Sequence, residues 1–219
     1  FHIASSALNP FFLEGNTHLK RIAGTTHDGT LIAHWNEGDE GEDITYLGLL
    51  NGHTATPFSF YDLPWTQSTE LDFVIESKNQ EFWFGDQEGI GLINVDGITR
   101  FGVDQGLPNE RASCLVELDD GLIWASLGNG VYEFDGKRWK AIFSAPSRIN
   151  ALIQASDQSV WAASNTGIHR FHYDSWVTIT ALDGLTGNAI YSIIEDQKGQ
   201  IWAGTTRGVN HYQPSADLD

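Results

Sequence analysis

Four tryptophans set the frame of this chain. Trp83, Trp124, Trp161 and Trp202 lie 41, 37 and 41 residues apart, and a glycine follows each by six positions: Gly89, Gly130, Gly167 and Gly208. Ten positions after each stands an apolar or aromatic residue, Ile93, Phe134, Phe171 and Tyr212. The upstream flanks stay in step, "FVIESKNQEFWFG" with "SIIEDQKGQIWAG" and "CLVELDDGLIWAS" with "ALIQASDQSVWAA". A fifth, worn copy opens the chain, where "FFLEGNTHLKRIAGTTHDG" shares AGTT with the last copy and puts Ile22 in the place of Trp. A period of about 40 residues means one supersecondary unit stacked on itself, since a single unit cannot bury its apolar face alone.

Each copy reads as short strands and tight turns. In the last, "YSIIE", "QIWAGT" and "VNHY" are strands, while "DQKG" and "TRG" are turns, the second needing glycine for a positive φ. Elsewhere a turn such as "DGKR" leads into a fourth strand like "WKAIF", and "GLPN" or "GLTGN" leads to the next copy. Strands this short, at this period and without helical spacing, predict an all-β chain, a β-propeller of four-stranded blades. The repeated Trp then packs between neighbouring blades. Five blades are expected within one domain, residues 1–219, with copies at about 10–64, 65–108, 109–149, 150–187 and 188–213 plus 1–8. The last copy lacks an outer strand. "FHIASSALNPFFLE" aligns with "KAIFSAPSRINALIQ", Asn9 on Asn150, so the N-terminal strand is expected to close the last blade. The interval from Ile22 to Trp83 is 61 residues, and its surplus falls on "NEGDEGEDITYLGLLNGHTA". That segment predicts an extended hairpin with an acidic tip (36–43), inserted between the third strand and a fourth strand "PFSFY" (57–61).

Twelve basic against 29 acidic residues leave a net charge of −17, a field that repels phosphate backbones and argues against a nucleic-acid partner. No apolar run approaches the roughly 18 residues of a membrane helix, so no membrane segment is expected. The chain has no Met, as expected of a mature or excised segment. Cys114 is the single cysteine, which excludes an internal disulfide, and its place in the alternating "ASCLVEL" predicts a buried thiol.

The pattern from Glu195-Asp196 through Tyr212, with "GLTGN" (184–188) and "GLPNE" (106–110), resembles the two-component regulator propeller repeat. The resemblance covers about four fifths of the chain and marks blades rather than chemistry. It implies a periplasmic or extracellular sensor segment of a bacterial signalling protein. The stretch "FWFGDQEGIGLINVDGITRF" also resembles the repeat of streptogramin lyases, which are propeller enzymes.

In a four-stranded blade, the turns between second and third strands and the linkers between blades open at one end. That end is expected to gather Asp86, Gln87, Glu88, Asn129, Ser164, Asn165, Thr166, Thr205, Thr206 and Arg207, with Asn109, Glu110, Arg111, Asn150 and Asn188 from the linkers. The ligand-binding candidates are Asp86, Glu88, Asn109, Arg111, Asn129, Asn150, Asn165, Asn188, Thr206 and Arg207. Amides, hydroxyls and arginines round a concave mouth suit a polar ligand, such as an oligosaccharide or an anionic small molecule. The competing structural reading is that Asn and Thr here cap their own turns. The acidic tip lacks the spacing of a calcium loop and reads as a solvated turn. His2, His18, His27, His34, His53, His169, His172 and His211 show no convergence, with His169 and His211 on third strands and His172 in a turn. Only His27 falls on a second-to-third turn. No metal, cofactor or catalytic constellation is expected. The leading expectation is a non-catalytic sensory propeller recognising a small polar molecule or a partner protein. The alternatives are a propeller lyase or hydrolase and a protein-binding scaffold.

Overall fold

The computed structural model describes residues 17–26, 31–37, 44–51, 54–57 and 71–213. The chain divides into two compact units, Phe1–Thr69 and Glu70–Asp219. Several expectations lie outside the described residues: the closing strand at 1–8, the "FFLE" strand, the turn holding His27, and residues 38–43 of the acidic tip.

The first unit holds one antiparallel sheet in sequence order: β1 (Thr17–Thr25), β2 (Leu31–Glu37), β3 (Ile44–Asn51) and β4 (Thr54–Pro57). Ile22 lies in β1 opposite Ala33, as the repeat predicts. The extended hairpin is there, with an unbroken register from Leu31↔Leu50 to Glu37↔Ile44. Its place in the sheet differs from expectation. Residues assigned to an insertion form β3, which pairs directly with the third strand of the repeat, and β4 pairs with β3; of the expected strand "PFSFY", residues 58–61 lie outside the described residues. Alternating "ITYLGLL" supplies seven rungs of pairing. Ile32 and Leu50 are buried.

The second unit carries four meanders. The first is β5 (Leu71–Glu76), β6 (Phe82–Asp86), β7 (Gly89–Asn94) and β8 (Gly97–Phe101). The second is β9 (Ala112–Glu117), β10 (Ile123–Leu127), β11 (Gly130–Phe134) and β12 (Trp139–Ser144). The third is β13 (Ile149–Gln154), β14 (Val160–Ser164), β15 (Gly167–His172) and β16 (Ser175–Ile179). The fourth has three strands among the described residues: β17 (Ile190–Glu195), β18 (Ile201–Thr205) and β19 (Gly208–Tyr212). First strands are neighbours, β9 contacting β5 and β13, and β13 contacting β17. His172 ends β15 rather than lying in a turn, because the turn is made by Tyr173 and Asp174, both at positive φ.

The tryptophans do what their spacing predicts. Trp83 sits in one apolar cluster with Leu107 of the linker and Leu115, Ile123 and Trp139 of the following meander. Trp124 packs likewise with Ile149, Leu152 and Val160, and Trp161 with Ile190, Ile193 and Ile201. Burial is nearly complete for these three, at 3%, 4% and 1% exposure. The turn glycines Gly89, Gly167 and Gly208 have φ of 121°, 145° and 132°, where a side chain is strained. Gly130 is the exception. Gly128 takes the left-handed conformation in that turn, and at Gly130 a Cβ would meet the outer edge of the Tyr132 ring at 2.6 Å, so the ring lies over the glycine.

A ladder of side chains ties each meander to the next at the far end of the first strands. Glu117 Oε2 accepts from Lys78 N (2.8 Å), Gln154 Oε1 from Asp119 N (2.7 Å), and both Glu195 oxygens from Ser156 N (3.0 Å each). Each acceptor ends a first strand and completes the turn of the preceding meander.

Two titratable groups, the half-buried Cys114 and the buried His169, are held neutral. Burial pushes the Cys114 thiol up to about 12, with Ser126 Oγ 3.1 Å away, so this cysteine is a packing residue. His169, fully buried, has Nε2 3.0 Å from Ser164 Oγ and Nδ1 2.9 Å from Thr178 Oγ1. Desolvation lowers its pKa below the ordinary 6.5. The unfolded chain therefore takes up a proton near pH 6.5 that the folded chain refuses, and the stabilisation, full above 6.5, declines as pH falls below it. Denaturation midpoints for wild type and His169→Gln, measured from pH 8 to 5, should show a steeper acid fall in the wild type.

Candidate functional site

The second-to-third turns and the linkers of the second unit do meet at one end. Asn129 Nδ2 donates to Ala145 O (2.8 Å) and Ser144 Oγ (3.2 Å), and Ile149 N donates to Gly128 O. Asn150 Nδ2 donates to Asn165 Oδ1 (2.9 Å) and to Ile190 O (2.7 Å) of the next meander. Thr186 N donates to Asn210 Oδ1, and the Arg207 stem packs along Gly187.

The candidates divide by what already holds them. Asp86 is a correction: it is fully buried, not presented to a ligand. Its Oδ1 accepts from Arg100 Nη1 (2.9 Å) and Glu88 N (2.8 Å), and Arg100 Nη2 lies 2.6 Å from Oδ2. That last contact lacks hydrogen-bond direction, so the sealed Oδ2 is held by charge alone. Arg100 also lies over the Phe84 ring at 4.8 Å. Asn188 Oδ1 caps Ala181 N at 2.6 Å, and Asn129 and Asn150 are spent on linker and neighbour backbone as above. Arg111 donates from Nε to Asp72 Oδ2 (2.7 Å) and from Nη2 to Oδ1, a bidentate pair across two first strands. Glu88, Asn109, Asn165, Thr206 and Arg207 remain exposed, Glu88 lying 3.8 Å from Arg100 Nη1.

Two features escaped the sequence reading. Arg148 stands thirteen residues before Trp161, as Arg111 stands thirteen before Trp124, and it too lies at this end. Its Nε donates to Ser113 Oγ at 3.1 Å. The second feature is a cleft of about 580 Å3 at the opposite end, between the first two meanders of this unit. Trp83, Phe101 and Phe134 line its apolar side, and Asn79, Glu81 and Lys137 its polar side. The next cleft along, about 340 Å3, is lined by Trp124 and Glu133 among others. The Trp124 N–H donates to Glu133 (3.0 Å), Trp161 to Ser159 (2.7 Å) and Trp202 to Asp196 (2.9 Å). Leu92 holds the place of Glu133 in the larger cleft, and the Trp83 N–H has no acceptor among the described residues. Among the described residues, no three His, Cys, Asp or Glu side chains converge as a metal site, and no helix is long and apolar enough to cross a membrane.

Antiparallel meanders repeated at this period, with their first strands side by side, define a β-propeller fold. The family model for the two component regulator propeller matches residues 184–207. No curated protein sequence matches the chain. Among solved structures, the chain is similar to the extracellular domain of BT3049 from B. thetaiotaomicron, described as a hybrid two component system. The TM-score is 0.64 at 16% identity, covering 88% of this chain and 33% of that one. It is similar also to the extracellular domain of BT4673 from the same organism, with a TM-score of 0.65 at 18% identity, covering 90% and 27%. Virginiamycin B lyase from Staphylococcus aureus gives 0.61 at 18% identity, covering 92% and 72%. The chain thus spans a third or less of the two-component-system domains it matches.

Proposed function

We propose that this chain is a non-catalytic sensory propeller segment of a bacterial signal-transduction protein. It works outside the cytoplasm and binds a small polar ligand at the end where the linkers and second-to-third turns gather. The observation that carries the reading is the two-component regulator repeat, whose solved neighbours are extracellular domains of two-component systems. The polar, partly exposed residues at that end, with Arg207 free of any ion pair among the described residues, support the location.

The test is a thermal-shift screen of the purified chain against oligosaccharides, organic anions and divalent cations. A ligand at about 100 times its Kd stabilises the fold by roughly 2.7 kcal/mol, a visible shift. Arg207→Gln combined with Asn165→Ala should abolish a selective hit. A hit unchanged by these substitutions would move the site elsewhere, and a blank with a cooperative melt would favour a protein-binding scaffold.

A further inference from the structure

The repeat supplies its own control for what the mouth can hold. Arg111 and Arg148 occupy the same position, thirteen residues before the tryptophan of their copies. Each reaches back to the first strand of the preceding meander, to the residue eleven before that meander's tryptophan: Asp72 for Arg111, and Ser113 for Arg148. In the first pair a carboxylate neutralises the guanidinium. In the second a hydroxyl stands where the carboxylate should be.

The consequence is an exposed arginine carrying a whole charge. Nε is satisfied by Ser113 Oγ at 3.1 Å, and among the described residues Arg148 makes no ion pair. Because Ser113 accepts through its oxygen, its own O–H is left to donate. Two guanidinium nitrogens and one hydroxyl thus face the place that Asp72 fills one repeat earlier. In a chain of net charge −17, a guanidinium facing a hydroxyl in place of a carboxylate leaves a local positive charge in an acidic field.

From this we infer that Arg148 and Ser113 form a carboxylate-binding position, so that the ligand of the mouth is a small organic acid or an acidic sugar rather than a neutral one. The inference rests on the mouth being the ligand site and names the chemistry it selects. The ligand carboxylate would sit bidentate on the two terminal nitrogens and accept from the Ser113 O–H, reproducing with a foreign group the pairing that Asp72 and Arg111 make internally.

The test compares wild type, Ser113→Asp and Arg148→Gln by thermal shift. Glucuronate and succinate are the acid probes, glucose is the neutral control, and ionic strength is matched with NaCl. Ser113→Asp installs the internal carboxylate and should melt no lower than wild type, while its apparent affinity for the acids falls at least tenfold. Arg148→Gln should lose the same response without gaining the pair. An acid response unchanged in both variants overturns the proposal, as does a wild type indifferent to both acids. If glucose alone shifts the melt, the carboxylate position falls while the mouth as a ligand site stands. If glucose and both acids leave the melt unmoved, the proposal falls on that ground too, and the wider screen then decides the mouth itself.

Discussion

Trp161→Ala should lower the stability of the second unit by about 3–5 kcal/mol, the cost of emptying a fully enclosed aromatic site. Trp161 is 1% exposed and packs with three isoleucines of the following meander, so the loss falls on an interface between blades. The damage extends beyond the cavity. Its N–H donates to Ser159 Oγ, which donates in turn to Asp157 Oδ1 (2.5 Å), and Asp157 Oδ2 accepts from Arg170 (2.8 Å). Arg170 lies over the Trp161 ring at 4.9 Å and donates to the Tyr212 hydroxyl at 3.0 Å. Removing the indole takes the floor from under that arginine. Trp202→Ala is the matched comparison, because Trp202 is half-buried and stacked on His211 at 4.2 Å. Urea denaturation should show a clearly smaller loss there. Equal losses would mean that the tryptophans act within blades and not between them.

Arg100→Met should cost about as much, roughly 3–5 kcal/mol, by a different route. Asp86 is sealed from water, and its Oδ2 has only the Arg100 charge beside it. Taking that charge away strands a buried carboxylate, whereas the methionine stem keeps much of the packing against Phe84. The double variant Arg100→Met with Asp86→Asn should recover most of the loss, because Asn keeps an acceptor for Glu88 N without the charge. A double variant as weak as the single one would show that Asp86 serves the turn and not the pair.

Much of the fold was legible because the repeat registers in several residue types at once. Trp fixes the second strand, Gly six residues later fixes the turn, and the aromatic at ten fixes the third strand, as cross-strand pairings such as Trp161↔Arg170 and Val160↔Phe171 show. The site was less legible for a physical reason. Whether a polar side chain at a turn is free or spent depends on its partner in another strand. Asp86 looked available until Arg100, fourteen residues on, was seen to bury it. Arg111 and Arg148 look alike in sequence, and only the residues they face, Asp72 and Ser113, tell them apart. The surplus in the first copy misled for a related cause, since strand order within a sheet is settled by competition for pairing partners.

The ladder formed by Glu117, Gln154 and Glu195 has a consequence for synthesis. Each acceptor lies 35 or 39 residues downstream of the turn it completes. During translation at roughly 5–20 residues per second, a turn waits about two to eight seconds before its missing partner emerges. Each of these three blades leaves the ribosome with its turn unfinished, and this part of the chain matures one step behind its own growth.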